Sequence, residues 1–183
     1  YEGEDSVIAW MLAGPSAEYR VILPDPGAAP FGMLETYPKA HSAEYQAQAM
    51  IDLAFALRER VNVTDIANIV IYTSDHTHRV IGSGANDPQK YDPNASRETL
   101  DHSLPQIFAV ALEDGDWDHI ASYTRERASR LDTHKLWSAI TTEEDVHWTE
   151  RYHAANPADR GFGGRAEVTL NDGTVIEAEK AVA

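Results

Sequence analysis

Apolar and polar positions along this chain fall into short periodic blocks divided by Gly and Pro, and each block predicts an element. Asp5–Ala13 is an apolar stretch of helical spacing that Gly14-Pro15 ends. Ala17–Leu23 alternates as a strand does, Pro24–Gly27 and Ala28–Pro30 are loop, and Met33–Tyr37 reads as a second short strand before Pro38. Ser42–Val61 predicts a helix, being dense in Ala, Leu, Met and Gln and free of Gly and Pro. The β-branched run in Ile66–Ser74 predicts a buried strand. Asn94 or Ser96 caps a helix running through Glu113, with Asp114-Gly115 as its stop and Pro105 as an internal kink or break. Thr124–Ile140 predicts one amphipathic helix with Leu131, Leu136, Trp137 and Ile140 inward. Thr141-Thr-Glu-Glu144 fits a capping box, so a further short helix is expected toward Tyr152. Ala166–Leu170 and Thr174–Ala178 flank Asn171-Asp-Gly173, the pattern of a hairpin. Strands on either side of several helices, joined by short turns, predict an α+β fold with a largely antiparallel sheet packed with helices.

Size fits this picture. The chain has 183 residues, 43% of them apolar, which suits a single domain over 1–183 with its own core. No apolar run approaches the roughly 20 residues that span a membrane. The chain opens on Tyr1-Glu-Gly-Glu-Asp5 rather than methionine and is read as cut from a longer protein.

Charge narrows the partners. Thirty acidic against 15 basic side chains give a net charge of −15, which repels phosphate backbones and anionic lipids; nucleic acid and membranes are therefore not expected partners. The same field repels an anionic substrate, so any anion site must concentrate its cations locally. The absence of cysteine excludes disulfides and cysteine-held zinc or iron–sulfur centres in these residues, and fits a reducing cytoplasm.

Three stretches carry candidate chemistry. Thr73–Lys90 places His76, His78, Arg79 and Lys90 around the glycine-bearing turn Gly82-Ser-Gly84, directly after the apolar run Ile69–Ile71, as a small-anion site would require. In a strand His76 and His78 share a face; in a helix they diverge by roughly 200°. A metal is disfavoured, because no third ligand stands at a standard spacing; acid–base work or hydrogen bonding to an anion suits the pair better, and a plain exposed or core pair is the alternative. In the second stretch His41, Glu44 and Gln48 fall at i, i+3 and i+7, one stripe at the start of a buried helix, where a bound carboxylate or simply solvent could face them. In the third, Arg97 and Asp101 stand at i, i+4 and could pair, or Arg97 could grip a carboxylate with two parallel bonds. Asp101 and His102 are neighbours that a helix points about 100° apart, so adjacency makes no dyad. Arg125, Arg127 and Arg130 read as a solvated face, and His119, His134, His147 and His153 as structural or exposed.

Lys39–Gln48, Thr73–Lys90, Ser96–Leu104, Ile107–Gly115 and Phe162–Glu167, in that order, resemble the C-terminal part of the MmgE/PrpD family, closest to its 2-methylcitrate dehydratases. The resemblance implies the α+β lid domain of a two-domain protein whose N-terminal all-helical domain is absent here, with the active site in the cleft between them. It implies dehydration of 2-methylcitrate to 2-methyl-cis-aconitate in propionate catabolism, a hydro-lyase reaction with no cofactor and no iron–sulfur cluster. Lys39 takes the place of the lid lysine that lines the family's cleft. His41, Glu44, His76, His78 and His102 are then the candidate catalytic residues, and Lys39, Gln48, Arg79, Lys90 and Arg97 the substrate-binding ones, with acid and base unassigned. The expected partners are a tricarboxylate, the helical domain and a second copy in a cytoplasmic homo-oligomer. One departure stands out: relatives often carry Tyr where this chain has Gln106, which cannot serve as a phenolic acid. The family also holds a cis-aconitate decarboxylase and a dicarboxylate epimerase, so reaction type does not follow from fold. An isolated lid without chemistry of its own is the third possibility.

Overall fold

The computed structural model describes residues 25–28, 38–154, 156 and 158–183. The elements expected at 5–13, 17–23 and 33–37 lie outside these.

The central strand is β1 (Ile66–Thr73), whose Ile66, Ile69 and Ile71 are buried. Ile66 and Ile69 differ in parity, and a register shift between Ile66 and Asn68 reconciles them, because a bulge turns the following side chains to the other face. β1 pairs in parallel with β2 (Ile140–Glu144), and antiparallel with β3 (Gly164–Leu170), which pairs antiparallel with β4 (Val175–Lys180). The strand order is β2-β1-β3-β4. The fold is α+β as expected, with a mixed sheet in which two of three pairings are antiparallel. Gly173, at φ 86°, makes the predicted hairpin turn between β3 and β4.

Seven α-helices complete the described residues. α1 (Gln48–Arg58) packs on α4 (Leu104–Asp114) and against β4, and together they bury Met50, Ile51, Leu53, Leu57, Ile107 and Phe108 over the sheet residues Ile69, Ile71 and Val168. Each such side chain removed from water contributes about 1.5–3 kcal/mol before entropy is subtracted. The remaining helices are α2 (Asp75–Val80), α3 (Arg97–Asp101), α5 (Arg125–Ala128), α6 (Leu131–Ser138) and α7 (Val146–Tyr152).

Several expectations are corrected. The helix read over 42–61 begins only at Gln48, because Glu44 caps a separate 3-10 turn, Tyr45–Ala47. The helix read over 94–113 breaks at His102-Ser103: Ser96 caps α3, Ser103 caps α4, and Pro105 sits in the first turn of α4, where its missing N–H is harmless. Thr124–Ile140 is two helices, and Leu131, placed inward by periodicity, is 87% exposed at the start of α6; Leu136, Trp137 and Ile140 are buried. Thr141–Glu144 is strand β2 and not a capping box; α7 follows it with Asp145 as its cap. Pairing with β1 outweighs the local capping signal there.

His76 and His78 lie on α2, so the strand geometry that would have put them on one face does not arise. His78 Nδ1 lies 2.7 Å from Thr142 Oγ1, and the same hydroxyl oxygen accepts from Ser83 N at 2.9 Å. Ser83 Oγ in turn donates to Thr142 O and accepts from Thr142 N, which satisfies one residue of the β2 edge. The glycines at 82 and 84 allow this close approach, as a Cβ on Gly84 would overlap the His78 ring. Arg127 is also corrected. It is 5% exposed, with Nη2 2.6 Å from Glu113 Oε2 and Nε 2.9 Å from Asp114 Oδ2, and so ties α5 to the end of α4 instead of facing solvent.

Two stability outcomes are expected in urea titrations. Gly84→Ala loses about 1–3 kcal/mol, because the His78 ring must leave Thr142. Arg127→Ala loses about 3 kcal/mol by leaving two carboxylates of α4 unpaired; unchanged midpoints would refute both assignments.

Candidate active site

Residues 39–44 precede α1 without regular structure of their own and are held by Gln48. Its Oε1 accepts from His41 N at 2.8 Å, and its Nε2 donates to the carbonyls of His41, Ala43 and Glu44 at 3.0–3.2 Å. Gln48 is 6% exposed, and the backbone of this segment occupies its amide. The segment presents Lys39 to solvent and turns Glu44 half inward.

Glu44 Oε2 accepts from Gln46 N at 2.5 Å. Burial raises its pKa above the ordinary carboxylate range, against the pull of the neighbouring N–H groups and the charges of His102 and Lys39. Across from it lies Lys90, 7% exposed at the end of the 3-10 turn Pro88–Tyr91. Its Nζ donates to His102 O at 2.5 Å, and Ser103 Oγ donates to Lys90 O at 2.6 Å. Burial lowers the Lys90 pKa, while Asp87 and Glu44 oppose the shift. His102, exposed at the C-terminus of α3, has Nδ1 2.9 Å from Glu98 O. A carbonyl only accepts, so Nδ1 is the donor, and in the neutral ring the lone pair lies on Nε2. Arg97, at the start of α3, lies with its guanidinium 4.5 Å from the centre of the Tyr123 ring and does not pair with Asp101; Asp101 instead accepts from the Tyr123 hydroxyl.

Of the residues singled out from sequence, the structure thus gathers Lys39, Glu44, Lys90, Arg97 and His102. The others have different surroundings. His41 Nε2 lies 2.8 Å from Asp52 Oδ1, whose other oxygen faces Lys180 at 3.4 Å. Arg79 pairs with Asp75 at 2.6 Å on the exposed side of α2. His76 stacks at 5.1 Å on Tyr152, and His78 belongs to the Thr142 lock. Among the described residues no hydrogen bond or ion pair joins His76, His78 or Arg79 to Glu44, Lys90 or His102. Gln106 is fully buried on α4, with Nε2 donating to Ser122 O at 3.3 Å. Sequence reasoning missed Tyr123, Asp52 and Ser103. No spacing marks the first two, while Ser103 before Leu-Pro carries the recognisable signal of a helix cap. A cavity of about 610 Å3, lined by Arg58, Asn62, Arg130 and Lys135 among others, involves none of the gathered residues. The cluster lies apart from that cavity: Lys39, Arg97 and His102 are exposed, Glu44 is half-buried and Lys90 is buried.

Such a cluster offers a carboxyl that holds its proton to higher pH than usual, an imidazole with a defined lone pair, and three cations. That is the equipment of an acid–base site for an anionic small molecule on an α+β domain. The chain belongs to the MmgE/PrpD family: the MmgE/PrpD C-terminal domain matches residues 41–183. It is similar to a protein of Yarrowia lipolytica named 2-methylcitrate dehydratase, mitochondrial, at 31% identity over 140 residues, 74% of this chain and 25% of that one. It is also similar to a 2-methylcitrate dehydratase of Cupriavidus necator, at 30% identity over 143 residues, 75% of this chain and 28% of that one. The matched region thus spans about a quarter of these relatives. Among the described residues no helix is long and apolar enough to cross a membrane.

The raised Glu44 pKa has a measurable sign. An acid raised by folding contributes stability present at low pH and lost as pH rises through its folded value. Glu44→Gln, which keeps the acceptor for Gln46 N, is expected to stabilise the domain at neutral pH. The gain should vanish on acidification below the ordinary glutamate range, and a pH-independent difference in thermal unfolding would contradict the assignment.

Proposed function

We propose that this chain is the C-terminal lid domain of a 2-methylcitrate dehydratase, completed by an N-terminal helical domain that carries the rest of the cleft. The observation that carries the reading is the gathering of Lys39, Glu44, Lys90, Arg97 and His102 from three separate segments around one half-buried carboxyl. Dehydration removes a C–H proton beside a carboxylate and the hydroxyl from the adjacent carbon, leaving a C=C bond and water. Each part has a candidate here. His102 Nε2 takes the carbon-bound proton, Glu44 delivers a proton to the departing hydroxyl, and Lys39 and Arg97 hold carboxylates. Lys90, already bonded to His102 O, fixes the α3–α4 joint and adds positive field. The local cations answer the repulsion that a net charge of −15 exerts on a tricarboxylate. His41 and Gln48 enter the proposal as supports of the 39–44 segment, while His76, His78 and Arg79, on α2, have no part in it.

The reaction belongs to propionate catabolism, in a cytoplasmic homo-oligomer; the printed name of the Yarrowia relative makes the mitochondrion the alternative compartment. Gln106, where relatives often carry Tyr, favours one second reading: the same fold acting on another citrate-like acid, as a lyase or isomerase.

Formation of the unsaturated product from 2-methylcitrate is the test, with this chain alone and with the N-terminal region restored. Activity is expected only in the second case, and turnover by the isolated chain would overturn the shared cleft. In the complete protein Lys39→Ala should reduce kcat/KM on the order of 10²-fold without altering the melting temperature. Near-normal turnover would remove Lys39 from the site, and turnover of other tricarboxylates alone would favour the second reading.

A further inference from the structure

Tyr123 is 5% exposed and ends the 3-10 turn Ala121–Tyr123, far in sequence from both groups its hydroxyl meets. One is Asp101 Oδ1 on α3; the other, at 3.1 Å, is the backbone carbonyl of Ser42 in the segment that carries Lys39 and Glu44. Trp117 meets the Tyr123 ring edge-on at 5.2 Å and donates its own Nε1 to the same Ser42 carbonyl at 3.4 Å. The Arg97 guanidinium covers the ring. The turn bearing Tyr123 is itself fixed from three sides. Asp118 Oδ1 accepts from Ile120 N and Ala121 N, Ser122 Oγ accepts from Asp118 N, and Gln106 Nε2 holds Ser122 O. A held turn therefore presents one hydroxyl between two parts of the candidate site.

We infer that Tyr123 is a positioning residue: its hydroxyl clamps the Lys39–Glu44 segment to α3 and so sets the spacing between Glu44 and the Arg97–His102 side of the site. The physical case is one of rigidity. Gln48 holds the segment's backbone only to its own helix, which leaves its place relative to α3 open. Tyr123 and Trp117 supply the tie in that direction. The hydroxyl has one proton and two acceptors within reach, Asp101 the nearer, and shares it in a three-centre bond that ties both at once. Burial, then the bond to Asp101, holds the phenol in its neutral form throughout the working pH range, as a clamp requires and as a proton-transfer group would not.

The structural part of this inference stands apart from the dehydratase reading, and its kinetic part rests on it. The test uses the complete protein with Tyr123→Phe, which keeps the ring contacts to Arg97 and Trp117 and deletes only the hydroxyl. Amide hydrogen exchange at His41 and Ala43, both protected in this segment, is expected to quicken about tenfold while exchange in α1 and α4 and the melting temperature stay put. In the same sample kcat/KM for 2-methylcitrate should fall about tenfold to a hundredfold, as misplacement of reacting groups by less than a bond length does. Asp101→Asn, which still offers an oxygen to the phenol, should stay near wild type in both readouts. Unchanged exchange at His41 and Ala43 in Tyr123→Phe would overturn the clamp, and so would a rise spread over the whole domain with a lowered melting temperature. A wild-type protein that leaves 2-methylcitrate intact would overturn the dehydratase reading, while localised exchange in Tyr123→Phe would still support the clamp.

Discussion

A lysine that folding takes almost wholly out of water must find acceptors, and Lys90 finds its acceptor where α3 gives way to α4. The ammonium donates to His102 O, which the end of α3 leaves without a helical donor, while the Ser103 hydroxyl that caps α4 also bonds Lys90 O. The two bonds run in opposite senses between the same short segments. They fix the angle at which α3 leaves α4, and with it the directions of Arg97, Asp101 and His102. Burying an ammonium costs several kcal/mol unless it is bonded and faces negative charge. Asp87 supplies that charge first, with Glu44 adding to it only in its ionised form. The break in the helix, the cap at Ser103 and the inward turn of Glu44 are thus parts of one electrostatic arrangement.

Seen this way, the strongly negative surface and the small group of cations are one design. A field set by a charge of −15 opposes the binding of anions, so any anion bound here would need cations that are concentrated and partly desolvated. Here they come from the loop before α1, the turn before α3 and α3 itself. The site lies on a face of the domain, outside the cavity bounded by Arg58 and Arg130. Under the proposed reading, exclusion of water from the exposed Lys39, Arg97 and His102 would fall to a second surface.

Much of the fold was legible because its signals are local. The Asn171-Asp-Gly173 turn, the stop at Gly115, the cap at Ser96 and the β-branched β1 each follow from backbone preferences that tertiary packing does not oppose. The failures share a cause as well. Thr141–Glu144 has the side chains of a helix start, and only its neighbour β1 makes it a strand. Leu131 has the right period, but a second cap at Arg130 starts a new helix and resets the phase. Arg127 looks like any surface arginine until α4 ends beside it with two carboxylates. Contacts between residues distant in sequence decide all three, and no periodicity contains them.

The same division runs through the candidate site. Lys39, Glu44, Lys90, Arg97 and His102 were visible as residue types in recognisable segments, but their separation from His41, His76, His78 and Arg79 was not. For the H-x-H pair, residue spacing leaves strand and helix geometry open. Ser74 caps a helix there, and the two rings turn to Tyr152 and Thr142. Gln106 makes the converse point. Read as a missing phenol, it marked a departure from the family; in the fold it is a buried amide that holds the Ser122 carbonyl, one residue from the phenol of Tyr123. Gln106 thus supports the turn that brings the Tyr123 hydroxyl to the 39–44 segment. The chemistry of this domain is set by which backbone a side chain holds in place as much as by which group it offers.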